Sequence, residues 1–324
     1  REIWYQIALD ASYVGSYTSH ETLTSTYNLD ALPFPLYQQC YSVNSLCDRT
    51  VNNPFYGVVP ATTSLGSGKT VAAKSLMVPY PLFNSGVSIA SNPWAHYRYD
   101  SLQLKAIKRF TGDRNKGGAL TVVFGYAFSK NFQDANFLNV YDAKPVHELV
   151  PYDKPQNVTL SGVWDLPFGK GRHFMNGAKG VLGAAIGGWS MHYVYTYRSG
   201  NPISGIDAVN YCGTLLLDDQ TKQHWFNNDP SCYKNRPNYT LRNVPDRYGW
   251  LRQMDNTNVN LAMAKTFRVT ERWKFSFRAE AFNLMNHPLY GAPSTSITSA
   301  TFGQLPSDQQ NFPRIVQISA RILF

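Results

Sequence analysis

Alternation of apolar and polar residues with a period of two recurs in eight segments of this 324-residue chain, and no other feature limits its fold as strongly. A strand turns successive side chains to opposite faces, so each such segment asks for an apolar surrounding on one side and a polar one on the other. The clearest is 272–285, where Trp273, Phe275, Phe277, Ala279 and Ala281 alternate with Lys274, Ser276, Arg278 and Glu280. Nothing in the chain approaches the roughly 18 to 20 consecutive apolar residues of a membrane-spanning helix. The smoothest apolar run, 181–189, is interrupted by Gly183, Gly187 and Gly188. A chain of this kind that crosses a bilayer does so with strands.

The other segments repeat the pattern. The first, 3–17, sets Ile3, Tyr5, Ile7, Leu9, Ala11 and Tyr13 against Gln6, Asp10 and Ser12. The second, 98–111, sets Leu102, Leu104, Ala106 and Phe110 against Ser101, Gln103, Lys105 and Arg109. In the third, 118–130, Leu120, Val122, Phe124, Tyr126 and Phe128 face away from small residues such as Ala119, Gly125 and Ser129. The fourth and fifth, 156–168 and 187–199, carry Val158, Leu160, Trp164, Met191, Tyr193 and Tyr195 on their apolar faces. The sixth, 256–269, is weaker, with Val259, Leu261, Met263 and Phe267 opposite Asn258, Asn260 and Ala262. The eighth ends the chain: Val316, Ile318, Ala320, Ile322 and Phe324 alternate with Gln317, Ser319 and Arg321.

The connections alternate in length. Those at 18–97, 131–155, 200–255 and 286–312 are long, whereas 112–117, 169–186 and 270–271 are short. Outer-membrane barrels have short periplasmic turns and long extracellular loops. With the long connections outside, the eighth segment descends and Phe324 ends at the periplasmic face. Cys40 and Cys47 share the first long loop, and Cys212 and Cys232 share the third. Pairing within each loop is the expected connectivity, in a cell-surface environment where disulfides persist.

Composition agrees. Aromatic residues make up 14% of the chain and charged residues only 16%, below the roughly 25% of soluble domains. The net charge of +9 comes from scattered Lys and Arg, with no basic run or motif that would engage nucleic acid. The stretch Gly66-Ser67-Gly68-Lys69-Thr70 resembles the end of a phosphate-binding loop, but Thr63 stands where that pattern needs its first glycine. No histidine pair has the i, i+4 spacing of a helical metal site, and no Gly-x-Ser-x-Gly elbow occurs. No residue is assigned to catalysis and no cofactor is expected.

The run Phe277-Arg278-Ala279-Glu280-Ala281-Phe282-Asn283-Leu284-Met285-Asn286-His287-Pro288, followed by Phe302-Gly303-Gln304 and a strand closing on Phe324, resembles the C-terminus of Oar-like TonB-dependent receptors. Upstream pieces are similar too, among them Asn53-Pro54-Phe55, Tyr126-Ala127-Phe128-Ser129-Lys130 and Asp165-Leu166-Pro167-Phe168-Gly169-Lys170-Gly171. The resemblance implies that residues 1–324 are the C-terminal part of an all-β, antiparallel transmembrane barrel, about eight of 22 strands, in the bacterial outer membrane. The plug and N-terminal strands that complete such receptors are absent from this sequence. The implied partners are outer-membrane lipid, the barrel-assembly machinery, an unidentified solute and, through the plug, the TonB system. Phe324, Ile322, Ala320 and Ile318 match the terminal strand that the assembly machinery reads. Two alternatives are a small independent eight-stranded barrel with a structural or adhesive role, and a secreted carbohydrate-binding β-sandwich.

Lys274, Arg278 and Glu280 share one face of the seventh segment and are candidate lumen charges, expected to pair across neighbouring strands. Trp94, Tyr211 and Trp225 fall in long loops and are candidate solute contacts. Replacing Phe324 by Ser should sharply lower the amount of heat-modifiable folded protein in outer-membrane fractions. Unchanged recovery would remove Phe324 from the assembly signal.

Overall fold

A computed structural model describes residues 2–3, 7–83, 86–110, 118–268 and 270–324. Tyr5 and Gln6 of the first expected strand, the turn 112–117 and Val269 lie outside them. Eight long strands form an antiparallel meander in chain order: β1 (Ile7–Glu21), β2 (Ala95–Phe110), β3 (Leu120–Asp134), β4 (Gln156–Asp165), β5 (Trp189–Arg198), β6 (Asn256–Arg268), β7 (Lys274–Phe282) and β8 (Ile315–Leu323). The first strand begins later than the alternation suggested. Ile3 belongs to a separate two-residue strand, Glu2–Ile3, whose partners are Ile7 and Ala8 of β1. Trp273 precedes β7 and Phe324 follows β8, although both continue the alternation.

Register turns eight separate patterns into one surface. Leu9, Ala106, Phe124, Leu160, Tyr195 and Val259 are successive partners across six strands. The adjacent row on the opposite face reads Asp10, Lys105, Gly125, Thr159, Thr196 and Asn258. A slip of one residue in any pair would mix the two faces, so the apolar pattern itself fixes the pairing. Tyr13, Leu102, Leu104, Phe128, Ile318 and Ile322 are exposed on the first face, while Val14, Val163, Val194 and Phe282 are exposed on the other. Gly162 sits in that face under the ring of its partner Tyr193, where a side chain would collide with the phenol.

No second sheet covers the apolar face among the described residues; the remaining two-stranded sheets belong to the long loops. The β-sandwich alternative is therefore not the observed architecture. β1 and β8 are not paired with each other, so the eight strands form an open wall and not a closed ring. Among the described residues no helix is long and apolar enough to cross a membrane.

Charge enters the apolar face at its margins. Arg98 and Asp100 lie on it beside Tyr13 and Tyr17, with Arg98 Nε 2.8 Å from an Asp100 oxygen and the Tyr13 hydroxyl donating to the same carboxylate. Lys108 and Lys265 are also on this face. Charge on a barrel's lipid face costs about 2 to 4 kcal/mol at the midplane and about 0 to 1 near the interfaces. Replacing Leu160 by Arg should therefore lower stability in lipid vesicles by about 2 to 4 kcal/mol, while the same change at adjacent Thr159 should cost little. Urea titrations in vesicles would read the difference, and equal losses would contradict the assignment of faces.

Candidate ligand-binding site in the surface loops

Among the described residues the largest cluster of buried apolar side chains lies outside the sheet. Ile203, Ile206, Phe226, Tyr248, Leu251 and Phe302 pack together, joining the loop between β5 and β6 to the loop between β7 and β8. The Cys212–Cys232 disulfide closes one side of this cluster, and Pro202–Ser204 paired with Arg247–Arg252 forms its base. In the first long loop, Cys40–Cys47 ties the helix Phe34–Ser42 to the short helix Asn44–Asp48. Both disulfides follow the expected pairing within loops. The glycine-rich stretch beside them makes no phosphate cradle: Gly66 and Ser67 end a four-residue helix, and Asn53 Nδ2 donates to Gly68 O at 2.7 Å.

The loops hold one another. The Tyr37 hydroxyl of the first donates to Thr240 O of the third at 2.9 Å, and Tyr141 of the second donates to Leu32 O of the first at 2.7 Å. Asn139 of the second exchanges hydrogen bonds with the backbone of Arg242. Lys222 Nζ donates to Ser307 O across the third and fourth loops at 3.2 Å.

Two ion pairs anchor this cap to the wall. Arg252 Nη2 lies 2.7 Å from Asp153 Oδ2, and the guanidinium also donates to the carbonyls of Asp153, Gly200 and Gly249. The Asp153 side chain is fully buried and accepts the backbone N–H of Asn131 at 2.9 Å. Arg247 Nη1 is 2.7 Å from Glu148 Oε1, which also accepts from Gln133.

A cavity of about 720 Å³ opens at the seam of the third and fourth loops, within the size range of small-molecule sites. Tyr233, Phe302 and Ile297 supply apolar wall; His224, Asn228, Asp229 and Gln304 supply polar groups. His224 Nδ1 is 2.7 Å from Asn228 Oδ1, and Asn228 Nδ2 donates to Phe302 O at 2.8 Å, so this pair is held in place. The backbone N–H and hydroxyl of Ser231 hold the Asp229 carboxyl below its ordinary range. Burial pushes the Tyr233 phenol up to about 12, and its hydroxyl donates to Asn227 O. The site thus offers an imidazole, side-chain amides, one carboxylate and aromatic faces, a set suited to a polar solute.

The aromatic residues expected to contact a solute are dispersed. Trp225 packs on the loop core, and its indole N–H donates to Arg252 O at 2.8 Å. Tyr211 is exposed, with Lys234 Nζ 5.0 Å from its ring centre. Trp94 stands edge-on to Tyr27 in the first loop. None of the three lines the large cavity. The residues that do were missed because they depend on two loops meeting, although Phe302-Gly303-Gln304 and the Cys212–Cys232 bracket mark both sides.

The charge trio separates as well. Arg278 Nη2 lies 2.6 Å from Glu280 Oε1 two residues along the same strand, whereas Lys274 is exposed at the strand's start. The expected pairing across strands is replaced by pairing along one, because Ala262 and Ala264 occupy the neighbouring positions on β6. On the same polar face, the buried side-chain oxygens of Asn157 and Asn258 have no hydrogen-bond partner.

A family model described as an outer membrane beta barrel domain matches residues 1–317. No curated protein and no solved structure matches the chain.

Replacing Arg252 by Ala strands the buried Asp153 and should destabilise the loop cap by about 3 to 5 kcal/mol, measured by denaturant-dependent hydrogen exchange. An effect below about 1 kcal/mol would contradict the burial of this pair. Tyr233 and Tyr141 both titrate at about 12, raised from 10.0 chiefly by burial. A raised folded value contributes stability that is fully present below pH 10 and is lost as pH climbs toward 12. The urea midpoint for loss of the loop cap should fall over that interval, and Tyr233→Phe should remove part of the fall; an unchanged midpoint would contradict it.

Proposed function

Because this chain belongs to the outer-membrane β-barrel domain family and resides in the outer membrane, we propose that it forms part of the wall of a TonB-dependent receptor that takes up a polar solute. The observation that carries this reading is that, among the described residues, β8 has no strand on its outer side and β1 has only the two-residue strand Glu2–Ile3, on an otherwise continuous sheet. An open edge in hydrocarbon leaves amides and carbonyls without partners, so further strands must complete the ring. Eight strands closed on themselves would fill their interior with side chains, whereas a wider ring leaves a lumen for solute or plug.

The polar face suits such a lumen. It carries Thr159, Ser161, Ser190 and Thr196, and the partnerless oxygens of Asn157 and Asn258 can accept hydrogen bonds from a plug, a solute or water. The mouth cavity adds a recognition surface on the loops. In this reading the solute is bound and passed unchanged, no residue acts as a catalyst, and TonB acts through a plug encoded elsewhere in the gene.

The genomic reading frame upstream of Arg1 tests the proposal directly. The expected result is in-frame sequence encoding a plug and about fourteen further strands. A secretion signal immediately before Arg1 would instead support the small independent barrel and overturn the receptor reading.

A further inference from the structure

The connection from β4 to β5 carries features that solute passage does not use. From Phe174 to Gly188 its only charged residue is Lys179, and its apolar side chains stand uncovered. Val181 is 87% exposed and Leu182 58%, while Phe174 and Met175 are about half exposed. Exposed apolar patches mark contact with another protein or with a membrane. The helix in this connection, Gly180–Ile186, is seven residues long and does not form alone in water. The barrel wall holds it.

The manner of holding fixes which side of the wall the helix occupies. Lys265 of β6 projects on the apolar face, in register with Trp189 of β5 and Phe277 of β7. Its ammonium donates to the carbonyls of Ala184 and Ala185, the second at 3.0 Å, and Trp189 Nε1 donates to the same Ala185 oxygen at 2.9 Å. These carbonyls belong to the helix's last turn, where backbone acceptors lack helical partners and attract cations. Ala185 and Ile186 also share a groove with Trp189, Met263, Phe277 and Ala279, all four on the apolar face. The connection is therefore folded back onto the outside of the wall, away from the polar face.

Its depth follows from the strands it joins. β4 and β5 have ten residues each, and a strand crosses hydrocarbon in about 9 to 11. Their connection thus begins where the hydrocarbon ends, at the short-connection end of the strands, the periplasmic side in such barrels. Trp189, bonded to the helix, stands at the level where tryptophan collects in membrane interfaces.

We propose that residues 174–186 form an interfacial anchor in the periplasmic leaflet, with Phe174, Val181 and Leu182 inserted among lipid acyl chains. Two observations favour lipid as the occupant. The helix is docked on the face that the bilayer covers, so its uncovered side chains continue the apolar belt of the wall. The segment also lacks the charge density of a surface surrounded by water, as suits a helix sunk about 5 to 10 Å into the headgroup and acyl boundary. The inference rests on membrane location and not on solute uptake.

The test uses the full-length gene product folded into phosphatidylcholine vesicles, with an environment-sensitive fluorophore on Val181→Cys. Both cysteine pairs of this chain are disulfide-bonded, which leaves the label one target in it. The expected result is blue-shifted emission, quenched strongly by a nitroxide on the upper acyl chain and weakly by iodide present on both sides of the bilayer. The same label on Val58→Cys, a 75% exposed residue of the first long loop, should show the reverse. Leu182→Asp should raise iodide quenching at the Val181 label, with heat-modifiable gel mobility verifying that the barrel still forms. Phe174→Cys supplies a second labelled position where Val181→Cys fails to fold. Iodide quenching equal to that at Val58 would put the segment in water, and protection from both quenchers would put it against protein. Either result would overturn the proposal, as would iodide quenching left unchanged by Leu182→Asp.

Discussion

Every backbone amide that enters hydrocarbon must find its partner on a neighbouring strand, because no water is present to take its place. This requirement makes the meander possible and sets its terms. Each strand from β2 to β7 has a neighbour on both sides, and the ladders run unbroken from Trp189 to Arg198 and from Lys274 to Phe282. The same requirement bears on the two outer strands of the described sheet, since β8 has no strand beyond it and β1 has only Glu2–Ile3. The apolar face is consequently directed outward, and side chains such as Leu104 and Ile318 are exposed where a soluble protein would bury them.

Once the sheet faces lipid, the water-excluded core has to lie elsewhere. It is in the loops, where Phe226, Leu251 and Phe302 pack together and a disulfide closes the cluster. The buried Asp153–Arg252 and Glu148–Arg247 pairs fasten this cap to the wall. A buried ion pair is a demanding anchor: its net contribution is modest, but losing one partner leaves an isolated buried charge. That asymmetry holds the loops in one arrangement and gives the mouth cavity a defined shape. At the other end of the strands Lys265 plays a related part, since helix carbonyls accept its ammonium on the apolar face.

The alternating segments were legible because strand periodicity is local. Leu102, Leu104 and Ala106 announce a half-apolar strand without reference to any other part of the chain, and the alternation of long and short connections gives the direction of each strand. Within-loop disulfides were legible for the same reason, since both cysteines of each pair fall in one connection. Ends were less certain: Trp273 and Phe324 continue the alternation but lie beyond their strands, because pairing and not periodicity terminates a ladder.

What the sequence determined by itself, then, is an antiparallel wall with an apolar and a polar face, loops gathered at one end, and a place in the outer membrane. Tertiary structure alone decided which side chains meet. It put His224, Asn228 and Phe302 around one cavity, sent Trp225 into the loop core, paired Arg278 along its own strand, and set Lys265 under the helix Gly180–Ile186. The physical reason is one of range: alternation is written in neighbouring residues, whereas these contacts join groups tens of residues apart and exist only after register and loop packing have brought them together.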